Sequence, residues 1–128
     1  MLYTRIVLSL AALMFATLGV LLVLRPDKLA DWADISATSP SGRTELRAWY
    51  GGLELALAGL FVAGVFEARV TASAFLVLAL ASFGPLAGRL LGFVLDRSAN
   101  GTGLSFAAIE VLFGVLGLVG YLRSVPPA

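Results

Sequence analysis

The sequence contains no cysteine and no histidine. Disulfides, thiol redox chemistry, axial histidine ligation of haem and most zinc or copper sites are therefore excluded. Any acid–base chemistry falls to Asp, Glu, Arg or Tyr. Charge is nearly as scarce: 13% of the 128 residues are charged and the net charge is +1. Such a chain has no basic excess with which to neutralise phosphates, so nucleic acid is not an expected partner. A carboxylate-only metal site is not expected either, because hard cations want about six or more oxygens, and no cofactor is implied. Internal repeats, linkers and low-complexity segments are also missing. What is abundant is apolar surface. Hydrophobic residues make up 59% of the chain and the mean hydropathy is +0.96, against about 45–50% apolar residues in soluble domains. The class is integral membrane, and the expected fold is an all-α, antiparallel bundle of four transmembrane helices in one domain over residues 1–128.

Four apolar runs, at about 4–24, 44–65, 70–95 and 102–122, are each long enough for a bilayer that takes about 20 helical residues to cross. The first follows a short basic segment, MLYTR, and could pass for a secretory signal. It is too long for a typical signal core and lacks a small-x-small cleavage site before Arg25-Pro26, so a retained span is the reading. Pro26 suits the first turn of a helix. PDKLADWADI then sets Leu29, Trp32 and Ala33 against Asp27, Asp31 and Asp34, the pattern of a short interfacial helix over about 26–35 with Trp32 at headgroup depth. The connection at Glu67–Arg69 is short enough to force an antiparallel hairpin. DRSANGTG (96–103) carries Asn-Gly turn chemistry, and VPPA (125–128) is a tail.

The spans are not wholly apolar. Successive helices run in opposite directions, so depth can be measured from the face that holds the 25–43 connection and the 96–103 turn. At 1.5 Å rise per residue, Arg47 lies about 5 Å, Arg89 about 10 Å, Glu110 about 12 Å and Glu54 about 15 Å inside that face, with Asp96 at the mouth. Arg47 and Glu54 are seven residues apart with Tyr50 on the flank, and Arg89 and Asp96 are also seven apart, so all can point inward. A charge that faces lipid costs several kcal/mol, so such groups turn to the bundle interior and pair. The expectation is a converging cluster: Arg89 with Glu54 or Glu110, and Arg47 with the remaining acid or with Asp96.

Glycines add a second pattern. Gly84, Gly88 and Gly92 on the third span, and Ala48, Gly52 and Ala56 on the second, have small-xxx-small spacing, and the fourth span carries Gly103, Gly114, Gly117 and Gly120. Packing within one bundle is the first reading and a homodimer through the third span is the second.

RAWYGG (47–52) followed by LALAGLF, GRLLGFVLD (88–96), a turn with Asn100-Gly101 and a last helix with Glu110 together resemble the bacterial four-helix membrane family called domain of unknown function 4345. The resemblance covers nearly the whole chain, and the family's usual turn places a Gly after the Asp, where this sequence has Arg97. It implies the four-span fold and a bacterial inner-membrane, multi-pass location, and it carries no activity. More loosely the architecture is similar to DoxX-like small membrane proteins, some of which accompany oxidoreductases or quinone-linked chemistry.

Three functions remain open. A polar cluster within apolar walls has the composition of a small-molecule site. A lipophilic, amphiphilic or quinone-like ligand would then be held by Arg47, Tyr50, Arg89 and Asp96, with Glu54 and Glu110 as acid and base if chemistry occurs. Alternatively, the charges form a structural network in an accessory or assembly subunit whose partner is another membrane protein. A proton-coupled transporter acting as an oligomer is the third. Four basic residues against three in the two sets of connections do not decide orientation.

Overall fold

The computed structural model describes residues 1–125; the remainder of the VPPA tail, 126–128, lies outside the described residues. Five helices follow one another: α1 (Leu2–Leu24), a six-residue α2 (Lys28–Ala33), α3 (Pro40–Phe66), α4 (Ala68–Leu95) and α5 (Gly101–Ser124). All but α2 are long and apolar enough to cross a membrane, and no strand occurs among the described residues. The chain is a multi-pass, all-helical membrane protein.

Chain chemistry sets the ends of these helices. Ser39 caps α3 by accepting from Gly42 N at 3.1 Å, with Pro40 in the first turn, where its missing N–H removes no helical bond. Asn100 caps α5 by accepting from Gly103 N at 2.7 Å. Glu67 alone, in extended conformation, separates α3 from α4. Thr71 Oγ1 ties that turn by donating to Gly64 O at 2.9 Å. Outside the membrane, Arg25 donates to Asp27 through Nε (3.3 Å) and Nη2 (3.1 Å), and these bonds hold the Asp27 carboxyl below the usual carboxylate range. Pro26 and Leu29 are buried beneath this segment, which seats α2.

Packing is by close approach. Lipid tails are as apolar as leucine, so helices in a bilayer associate through van der Waals fit, which favours small residues at contacts. The α4–α5 contact is built this way: a Cβ on Gly114 would lie 2.5 Å from the Phe83 ring, one on Gly117 2.6 Å from Ala79 N, and one on Gly120 would collide with Phe75. On α3, Gly64 admits Ala74 and Leu8, and Gly51 admits the backbone of α1 at Val23. Leu8, Phe61, Phe75 and Leu78 are fully buried where α1, α3 and α4 meet.

Of the glycines expected to pack within the bundle, Gly103, Gly114, Gly117 and Gly120 on the last span do so, and those at small-xxx-small spacing on the second and third spans do not. A Cβ on Gly84 or Gly88 would meet nothing within 4 Å, and one on Gly52 only the Arg47 carbonyl oxygen at 3.8 Å. That face of α4 is bare.

The four spans close unevenly. At the end away from α2, Tyr3 Oη donates to Leu116 O at 2.7 Å, its ring lies 5.9 Å from that of Phe75, and the Arg123 guanidinium sits 4.9 Å from its centre. At the other end, residues 40–52 pack on α1 and make no substantial contact with α4 or α5, while α2 reaches across to α5. The mouth of the bundle is open between the α1–α3 and α4–α5 pairs.

Candidate functional site

Arg89 lies six residues before the end of α4, and Glu110 nine after the start of α5. That puts them about 9 and 14 Å inside the same face at 1.5 Å per residue. They form a bidentate pair: Arg89 Nη2 donates to Glu110 Oε1 at 2.7 Å and Nε to Oε2 at 3.1 Å. The side chains retain 28% and 15% exposure. Phe106, one turn before Glu110, offers its ring to the guanidinium at 5.3 Å. Two parallel N–H···O bonds fix the fork in one orientation.

Arg89, so held by Glu110, lines a cavity of about 160 Å³ between α2, α4 and the start of α5. Trp32, Phe93 and Phe106 give it aromatic walls, and its polar lining comes from Arg89, Ser98, Asn100 and Thr102. The sequence singles out Trp32 as an interfacial residue and Asn100 as turn chemistry, but not as neighbours. Phe93 and Phe106 carry no signal at all, since an aromatic residue in an apolar span looks like any other lipid-facing or core residue. A second, wider depression on α1, from Ala16 to Leu24, is lined by apolar side chains and Thr17.

The remaining expected site residues do not join this pair in one network. Arg47 pairs with no carboxylate among the described residues: its Nε donates to Val23 O at 2.9 Å. The last carbonyls of a helix lack intrahelical partners, so Arg47 caps the C-terminus of α1, where the helix dipole also favours a cation. Tyr50 is 40% exposed within a π-helical turn at Ala48–Gly52. Asp96 is exposed at the end of α4, and its backbone N–H donates to Gly92 O. Glu54 is half-buried and makes no side-chain hydrogen bond or ion pair among the described residues. It follows the buried Gly51 by three residues and precedes the buried Phe61 by seven, so it stands on the inward side of α3.

The turn after Asp96 has its own signature. Arg97 adopts φ 49°, the left-handed region in which a Cβ is unfavourable and glycine is at home.

No group of three or more Asp or Glu residues that could hold a metal ion occurs among the described residues. The cavity beside Arg89 can offer hydrogen-bond donors within aromatic walls. A family described as a domain of unknown function, DUF4345, matches residues 3–121. No curated protein and no solved structure matches the chain. These findings do not extend to the looser likeness with DoxX-like proteins.

Proposed function

The chain therefore belongs to the DUF4345 family, whose description assigns no activity, and from its own site we propose that it binds the head of a small amphiphilic molecule at the mouth of the bundle. The observation that carries this reading is Arg89, fixed by Glu110, lining the cavity beneath Trp32. A partly buried ion pair adds little net stability, because desolvation offsets most of the attraction. Its value lies in a fixed set of donors beside an apolar wall, the usual composition of a ligand site. An apolar tail would remain in the lipid while the head enters the cavity. Arg47 is then a cap, and Tyr50 and Asp96 belong to the rim. Glu54 and Glu110 serve as acid and base only if the ligand reaches α3. Glu110 is committed to Arg89, and Glu54, with no side-chain partner among the described residues, is the carboxyl group left for proton exchange.

Native mass spectrometry of the protein, gently extracted from its own membrane, tests this. A stoichiometric non-phospholipid adduct is expected, and it should be lost when Ser98→Trp fills the cavity while helicity is unchanged. Retention of the adduct in that variant would refute the site. Loss of it in Glu54→Gln would extend the site to α3.

The bare face at Gly84 and Gly88 favours a second reading, in which a helix of a second copy or of another membrane protein packs there. Because the chain has no cysteine, Gly84→Cys in membranes should then form a disulfide-linked homodimer or trap a partner. Failure of both would leave the face to lipid.

A further inference from the structure

None of the residues around the cavity is acidic, and the side-chain nitrogens of Arg89 and Asn100 present N–H donors. A guanidinium carries five N–H groups. Glu110 accepts one from Nε and one from Nη2, which leaves the rest of the Arg89 fork available. Asn100 Oδ1 already accepts from Gly103 N, so its NH₂ is the free end of that amide. Ser98 and Thr102 supply hydroxyls.

The aromatic walls alone would suit a quaternary ammonium, which such rings attract through their faces. Two observations oppose a cation here. No carboxylate lines the cavity, and the Arg89 guanidinium already stands 5.3 Å from the centre of the Phe106 ring. What complements donors set among rings is a flat ring that bears an acceptor. The size agrees: about 160 Å³ is comparable to a cavity of about 150 Å³ that holds one benzene ring.

We propose that the cavity binds aryl carbonyl compounds, with the ring between Trp32, Phe93 and Phe106 and a ketone or carboxylate oxygen on the free N–H groups of Arg89. The proposal rests on the ligand-site reading above and narrows its chemistry. Glu110 balances the charge of Arg89, so a neutral ketone and an anionic carboxylate share the same acceptor recognition.

The test is ligand-observed ¹⁹F NMR on the full chain in phosphatidylcholine nanodiscs, with empty discs to subtract partitioning into lipid. The probes are 4-fluoroacetophenone, 4-fluorobenzoate and 4-fluorobenzylamine. At least one of the first two should bind saturably, and the stronger of them identifies the neutral or the anionic class. 4-Fluorobenzylamine should bind at least about tenfold more weakly, since a site built from donors rejects a ligand that brings donors of its own. Ser98→Trp should weaken the bound probe by a similar factor, with its fold checked by circular dichroism. Equal binding of the amine, or undiminished binding to Ser98→Trp, would overturn the proposal. If no probe binds but native mass spectrometry shows an adduct lost in Ser98→Trp, the acceptor-ring chemistry fails and the ligand site stands. If neither appears, both fail.

Discussion

At the residue scale, two positions separate what the sequence can reveal from what it cannot. Arg89 and Glu110 are legible because charges inside spans are rare and must find partners, and the structure shows the pair at 2.7 Å. The partner of Arg47 is a backbone carbonyl at the end of α1, and a carbonyl has no letter in a sequence. Arg97 is a position where the chain departs from local preference. Its φ of 49° costs a side-chain-bearing residue about 1–2 kcal/mol, and glycine there would give back part of that through its larger unfolded-state entropy. Arg97→Gly should therefore raise stability by about 0.5–1 kcal/mol, measured by unfolding in detergent; a loss of stability would mean that the Arg97 side chain contributes more than the backbone strain. Glycines on the two faces of the α4–α5 hairpin should differ in the same assay. Gly117→Ala drives a methyl against the backbone of α4, which cannot move aside, and should cost about 1–3 kcal/mol, as overpacking does. Gly84→Ala meets open space and should be neutral or stabilising by up to about 1 kcal/mol through helix propensity. Equal effects would show that the two faces are not packed differently.

At the element scale, hydropathy locates the spans well because a bilayer imposes a length and a composition. It gives no warning of the π-helical turn at Ala48–Gly52. A π turn closes its bonds over five residues instead of four and holds one extra residue. With that residue accommodated, Arg47 reaches Val23 O while Ala58, Phe61 and Gly64 remain in the core. Removing one residue from the turn should return it to α geometry without rotating the two halves of α3 against each other. Deletion of Gly52, whose Cβ position is open apart from the Arg47 carbonyl, should thus lower the melting temperature little. Deletion of Leu57, in regular helix, rotates one half by about 100° and should abolish folding. If both deletions unfold the protein alike, the turn is not a one-residue insertion.

At the scale of the whole molecule, the difference between the expected cluster and the observed site comes from closure. Sorting residues by depth assumes four helices in contact along their full length, and on that assumption Arg47, Tyr50 and Glu54 face Arg89 and Glu110. The structure closes the bundle firmly at Tyr3, Phe75 and Leu116, but residues 40–52 pack on α1 alone among the spans. No pattern in a single sequence reports such splaying, since each helix has the same inward stripe whether its neighbour is near or far. The absence of native cysteine makes the geometry directly measurable. A disulfide needs Cα atoms about 4.4–6.8 Å apart. Gly64→Cys with Ala74→Cys, where a Cβ on Gly64 would lie 2.6 Å from that of Ala74, should oxidise readily after a small outward adjustment. Tyr50→Cys with Leu86→Cys lies at matched depth on α3 and α4, about 24–27 Å from their shared turn at 1.5 Å per residue, and should stay reduced under the same oxidant. Rapid closure of the second pair within single chains would bring α3 against α4 at the mouth, move the site from the Trp32 cavity into the centre of the bundle, and place Glu54 with Arg89 and Glu110.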